Sequence, residues 1–238
     1  MTAVSTTCTW WEHSLAETGV QGMEMHLARD ASWDDVVATG RADLQRGLEQ
    51  LRVIPQRDHT VIDIGCGIGR MSQALAEHYR QVVGLDIAPA LLAAANRNNT
   101  REHVSFELIE NGRLQPRALS QTDMVFSYEV LYLLRPQVLI GYFEDAFRLL
   151  KPEGHFMFQL NVTPIPWCTQ ISFRLRSVLY RLGVTHWRGW PTAPEVRRYS
   201  YERTWVCQRL AAVGFHVVRV AASDPKQAWF LARKPGLP

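Results

Sequence analysis

Val61-Ile62-Asp63-Ile64-Gly65-Cys66-Gly67-Ile68-Gly69-Arg70 is the stretch on which the reading of the whole chain turns. Its first four residues are rich in β-branched apolar side chains, the composition of a buried strand. Glycines at 65, 67 and 69 follow, and a helical pattern then opens at Met71. Glycine removes Cβ where a chain must turn sharply and lets a ligand touch bare backbone. Asp86 comes 21 positions after Gly65, at the end of a second apolar run, Val82-Val83-Gly84-Leu85. Strand, glycine loop, helix, strand and terminal acid make half of a nucleotide-binding βαβ unit. A carboxylate in that place can accept two hydrogen bonds from a ribose diol.

Outward from this core the chain alternates strand and helix. Strands are predicted at 60–64, 82–86, 104–108, 124–127 and 155–160, with helices at 70–79, from Pro89 through Ala95, and at 136–150. Lys151-Pro152-Glu153-Gly154 stops the last helix. Upstream, residues 10–52 read as helical. Ser32 is an N-cap, acids at Asp34 and Asp35 follow it, and Val36, Val37, Leu44, Leu48 and Leu51 share one face. The tail changes period. Residues 214–220 and 227–232 are two strands joined by the turn chemistry of Ala222-Ser223-Asp224-Pro225-Lys226. The expected fold is α/β. It is a Rossmann-like, doubly wound, mostly parallel seven-stranded sheet ending in an antiparallel hairpin, with N-terminal helices and a helical insert after strand five. One domain over 1–238 is expected, with 1–55 as a helical cap and 162–205 as an insert on the substrate side.

The pattern Asp63-x-Gly65-x-Gly67-x-Gly69 resembles the first motif of the class I S-adenosylmethionine-dependent methyltransferases. A dinucleotide fold wants Gly-x-Gly-x-x-Gly, whereas here the third glycine comes one place early. Segments 61–74, 84–89, Asn111-Gly112-x-Leu114, 123–128, 150–154 and Thr39-Gly40-Arg41-Ala42-Asp43 resemble a small-molecule subgroup of that family. The resemblance covers about residues 33–160 and the last hairpin, and leaves out 162–205. It implies S-adenosylmethionine as cofactor and S-adenosylhomocysteine as product.

Carried over residue by residue, the resemblance has Asp86 hold the ribose and Ile87 pack on the adenine ring. Glu110 or Asn111, beside Gly112, meets the adenine edge. Many relatives have Asp there, and Asn111-Gly112 also reads as a plain turn. Ser127 and Tyr128 border the methionine portion. Its carboxylate suits a guanidinium, with Arg41 first and Arg70 second, although Arg41 also reads as a solvated helix residue. Asp63, Gly65, Cys66, Gly67 and Gly69 complete the pocket, Cys66 as a small side chain that fits the loop.

Methyl transfer from a sulfonium is an in-line displacement that mainly needs alignment, and a hydroxyl acceptor also needs a base. Glu129, Tyr128 and Tyr132 follow strand four at the carboxyl edge, Asn161 follows strand five, and His186 lies with Trp187 and Trp190 in the insert. Each also reads as a packing residue. His155 begins strand five at the far edge and is excluded.

Composition narrows the partners. The chain has 238 residues, 47% hydrophobic, with a net charge of +3, too mild to imply nucleic acid. Cys8, Cys66, Cys168 and Cys207 are scattered, without zinc or disulfide spacing, and no metal is expected. No signal peptide or apolar run of spanning length is read, so the expectation is cytoplasmic. Between 171 and 209 eight arginines face two glutamates, a formal +6 that leaves −3 for the rest. Residues 171–183 make an amphipathic helix. Ile171, Leu175, Val178, Leu179 and Leu182 are expected to pack inward, with Phe173, Arg176 and Tyr180 outward as a lid over an anionic or amphiphilic acceptor, a membrane contact, or a solvated face. The expected activity is methylation of a small molecule at a hydroxyl oxygen, in a secondary metabolite, sugar or lipid-linked compound. A nicotinamide-dependent oxidoreductase and a non-catalytic S-adenosylmethionine-binding module are the alternatives.

Overall fold

A computed structural model describes residues 8, 9, 11, 12, 15, 16, 32–119, 121–184, 186, 187, 190–192 and 198–236. Most of the helix expected over 10–31 lies outside them, though residues 8, 9, 11, 12, 15 and 16 are helical. Helix α1, Trp33–Leu51, starts as its sequence demands. Ser32 caps it with a full capping box to Asp35, and the expected apolar face is buried.

The strand order is set by the crossovers. β1 (Thr60–Ile64), α2 (Arg70–Leu75), β2 (Gln81–Asp86), α3 (Pro89–Asn98), β3 (Val104–Leu108), β4 (Thr122–Ser127), α4 (Pro136–Leu149) and β5 (Leu150–Asn161) follow in turn. After β5 come α5 (Trp167–Arg181), the two-residue strands β6 (His186–Trp187) and β7 (Trp190–Pro191), α6 (Arg203–Val213), β8 (His216–Ala222) and β9 (Gln227–Arg233). The main sheet is ordered β3-β2-β1-β4-β5-β9-β8. The first five strands are parallel, and β9 and β8 close the sheet antiparallel, as expected from the hairpin chemistry. Asp224 makes that turn by accepting from the Lys226 and Gln227 N–H groups.

Each face of the sheet is covered. One carries α1 and α2 through Leu44, Leu48, Met71 and Leu75. The other carries α4 and α6 through Leu139, Phe143, Val206 and Leu210. Both faces of β1 are therefore covered, and all five of its residues are buried. Two details depart from the sequence reading. Residues 151–154 do end α4, but they join β5 as an irregular stretch. Glu153 adopts φ 66° there and donates its N–H to Lys234 O at 2.9 Å. Helix α6 was not foreseen. Its only strong signal is Val206 and Leu210 four apart, with Gly214 at φ 112° closing it rather than opening the next strand.

Candidate active site

The parallel strands bring the carboxyl ends of β1, β2, β3, β4 and β5 to one edge. There the glycine loop leaves β1 under tight backbone control. The Gly65 and Cys66 N–H groups both donate to Leu85 O, at 2.7 and 3.1 Å, and Gly69 N–H donates to Cys66 O at 2.9 Å. Gly65, Gly67 and Gly69 all have positive φ, at 74°, 54° and 90°. Their surroundings differ. A Cβ on Gly65 would lie 2.3 Å from a Val130 methyl, and one on Gly69 would lie 2.9 Å from the Phe106 ring. A Cβ on Gly67 would meet nothing within 4 Å. The two outer glycines admit close packing, and the middle one turns bare backbone to open space. Cys66 is buried against Gly84, where an added Cβ would stand 2.9 Å from its sulfur, and burial pushes its thiol up, away from reactivity.

Asp86 ends β2 against this loop. Its Oδ2 accepts from Gly67 N–H at 2.9 Å and its Oδ1 from Ala88 N–H at 3.0 Å. Burial raises its carboxyl, and backbone N–H donors oppose that rise. A carboxylate has about four acceptor directions, so each oxygen keeps capacity for a diol. Ile87, next in line, is half-buried against the core. Asp63, two residues before the loop, turns inward. It is 1% exposed and accepts from Ser72 Oγ at 2.6 Å, which braces β1 to α2, and desolvation raises its carboxyl to about 7.

The two arginines part company. Arg41 is not brought to the loop. It lies on the outer flank of α1, where its Nε and Nη2 reach Glu77 Oε1 at 2.8 and 2.7 Å. Arg70 is at the edge. It holds Asp43 Oδ2 at 2.7 Å and Thr39 Oγ1 at 3.2 Å, and its guanidinium stands 5.5 Å from the Tyr128 ring centre. Asp43 was missed by the sequence reading. It lies one turn from Thr39 on α1, and only the contacts of both with Arg70 show that this flank meets α2.

Beyond β3, Asn111 and Gly112 adopt φ 55° and 67°, a tight turn closed by Arg113 N–H to Glu110 O at 3.2 Å. Glu110 is exposed and lies 3.5 Å from Arg117. The turn is anchored from behind by Asp145, also missed, which is fully buried on α4. Asp145 takes Arg113 Nε at 3.0 Å and Leu114 N–H at 3.0 Å, contacts that hold its carboxyl low despite burial. A carboxylate on the apolar face of a helix was the available signal.

After β4, Ser127 is spent on structure and donates to Ile64 O at 3.0 Å. Tyr128 stacks on Trp229 at 5.4 Å, and burial raises its phenol. Tyr132 is buried, its phenol pushed up to about 12, with Arg198 5.5 Å from its ring. Glu129, between them, is exposed and holds φ 58°, the left-handed region that a non-glycine residue occupies at a cost. Asn161, at the end of β5, is engaged by the 199–201 strap: it donates to Tyr199 O at 3.3 Å and its carbonyl accepts Tyr201 N–H at 2.9 Å. His186 pairs with Pro191 in the two-stranded sheet, and its side chain lies outside the described residues.

Residues 61–154 match a family model described as a methyltransferase domain. A malonyl-[acyl-carrier protein] O-methyltransferase of Methylovorus sp. (strain MP688) is 31% identical over 135 residues, 53% of this chain and 45% of that one. A ubiquinone biosynthesis O-methyltransferase of Pseudomonas fluorescens (strain SBW25) is 34% identical over 108 residues, 44% of this chain and 45% of that one. The match thus spans less than half of each relative. Among solved structures, magnesium protoporphyrin IX methyltransferase from Synechocystis PCC 6803 with bound SAH aligns at TM-score 0.64 and 15% identity, over 95% of this chain and 99% of that one. The N-methyltransferase NodS from Bradyrhizobium japonicum WM9 in complex with S-adenosyl-L-homocysteine aligns at TM-score 0.62 and 16% identity, over 97% and 99%. At such identities the likeness is one of fold.

Proposed function

We propose, from the premise that residues 61–154 are a methyltransferase domain, that the chain transfers a methyl group from S-adenosylmethionine to a small molecule at a hydroxyl oxygen. The observation that carries this reading is the glycine loop. Its middle member faces open space while its neighbours are packed shut, and the Asp86 carboxylate is bonded to that same residue. The cradle fits a nucleoside with no phosphate to neutralise. When bound, S-adenosylmethionine supplies a methyl group on a positively charged sulfur.

Asp86 takes the ribose diol, and the Gly67 and Ala88 N–H groups hold its carboxylate in place. Ile87 would pack on the adenine, and the 110–112 turn would meet its edge. Arg70, fixed by Asp43 and Thr39, is the cation for the methionine carboxylate. Glu129 accepts the acceptor's hydroxyl proton. Half-buried Tyr128 and buried Tyr132 keep their protons at neutral pH, which removes them as bases. A backbone strained at an exposed carboxylate, at the end of a strand beside the loop, is the mark of a position held for function. The acceptor is anionic or amphiphilic, in keeping with the +6 charge of residues 171–209.

Calorimetry with S-adenosylhomocysteine tests the first half of this reading. Micromolar binding by the native chain, lost in Asp86→Ala, is expected, and no binding at millimolar ligand overturns it. A methyl-transfer screen over hydroxylated acceptors, with Glu129→Gln as control, tests the second.

A further inference from the structure

Helix α5 is laid on the protein with its apolar side out. Trp167, Ile171, Leu175 and Val178 lie on one stripe that Leu182 extends, and their exposures are 75%, 53%, 43%, 51% and 74%. The opposite arc, with Ser172, Phe173, Arg176, Ser177 and Tyr180, is the half-buried one, and no residue of the helix is fully buried. This inverts the sequence expectation, which put the stripe inward and Phe173, Arg176 and Tyr180 outward. An amphipathic helix normally turns such a stripe to the core. A contiguous apolar stripe left in water marks a surface that something covers.

We propose that this face docks on an anionic lipid bilayer. Charge selects that occupant. Arg174 and Arg181 lie exposed on the same arc as the stripe, and residues 162–194 contain four arginines and no Asp, Glu or Lys. A bilayer interface accepts both parts at once: apolar side chains enter the acyl boundary while guanidinium groups reach lipid phosphates on their long stems. Trp167, at one end of the helix, is a side chain suited to the headgroup level. Among the described residues no helix is long and apolar enough to cross a membrane, so the contact lies in the surface plane.

Position gives the contact a purpose. β5 runs parallel to β4 and β1, so Asn161 lies at the edge that carries Gly65 and Asp86, and α5 begins five residues further on from Val162. A bilayer held there is on the side from which the acceptor arrives, and it presents amphiphilic acceptors to the pocket. That last step rests on the methyl-transfer reading, whereas the docking does not.

Co-sedimentation with vesicles decides the matter. The native chain is expected to partition at least about tenfold more strongly onto phosphatidylcholine vesicles containing phosphatidylglycerol than onto phosphatidylcholine alone. Leu175→Asp with Val178→Asp, and separately Arg174→Glu with Arg181→Glu, are expected to abolish that preference. Because these side chains are exposed, their thermal unfolding stays unchanged, which shows that loss of binding is not loss of fold. Equal partitioning of the native chain onto both vesicles overturns the proposal. So does retained anionic preference in both variants. A native dimer that the stripe variants turn into monomers overturns it too, by making a second copy the cover. Absence of a thermal shift with S-adenosylhomocysteine sinks the methyl-transfer reading while leaving the vesicle result standing.

Discussion

The loop at Gly65–Gly69 follows β1, helix α5 follows β5 past the same edge of the sheet, and the two are built on opposite terms. In the loop the backbone is held at each end: Leu85 O takes the Gly65 and Cys66 N–H groups, Asp86 takes Gly67 N–H, and Cys66 O takes Gly69 N–H. On α5 the apolar stripe stands in water. One region is finished by the fold alone and awaits a small ligand that touches backbone. The other is left uncovered by the described residues, which is why a covering from outside is proposed for it. The difference teaches where information is kept: in spacing and backbone for the first, in surface chemistry for the second.

Substitutions in the loop test how finished it is. Gly65→Ala places a methyl 2.3 Å from Val130 at φ 74° and is expected to cost about 3–5 kcal/mol, read from urea denaturation. Gly67→Ala meets nothing and costs about 1 kcal/mol through its φ of 54° alone, yet weakens S-adenosylhomocysteine binding more than tenfold. Equal stability losses would erase the distinction between a packed and an open glycine. Next in size, Glu129→Gln lowers methyl transfer by about 100-fold, with S-adenosylhomocysteine affinity within twofold of native. A parallel loss of affinity would move Glu129 from base to binder.

Asp63 gives a pH signature. Its carboxyl sits at about 7 in the fold against an ordinary value of 3.8. The native state therefore disfavours the ionised form. Stability from this group is fullest below the unfolded value, falls as pH rises from 3.8 towards 7, and is level above. Asp63→Asn is expected to flatten that fall by about 2 kcal/mol, as the difference in denaturation midpoints between mildly acidic and mildly alkaline buffer. An unchanged pH profile would show the carboxyl to be ordinary. The smallest effect is at Arg41→Ala: a solvent-screened ion pair with Glu77 is lost, the denaturation midpoint barely moves, and S-adenosylhomocysteine affinity stays put. Weakened affinity there would return Arg41 to the pocket.

The parts of the site that were legible are those that backbone demands. Gly65, Gly67, Gly69 and Asp86 are where spacing put them, because a strand-to-helix turn and a strand end leave no choice of residue or register. The Ser32 cap and the closing hairpin were readable for the same reason. Arg41 stayed open between cofactor partner and solvated residue because helical periodicity locates the inner stripe of α1 without saying which flank meets α2; in the fold Gly40 packs against Arg70, and Arg41 pairs with Glu77. Asp145 and the 199–201 strap escaped because their partners are 31 to 67 residues away.

What the sequence determined unaided is the order of elements from β1 to β5, the parallel sheet with its antiparallel end, and the glycine turn facing an acid, since all of these follow from local periods and conformational freedom. Tertiary structure alone decided that Arg41 bonds Glu77 while Arg70 stands by Tyr128, that Asp63 is buried against Ser72, and that α5 shows its greasy side to water. The physical reason is common to all three. An amphipathic pattern says that a face wants cover, and only the placement of neighbouring elements says whether the protein itself provides it.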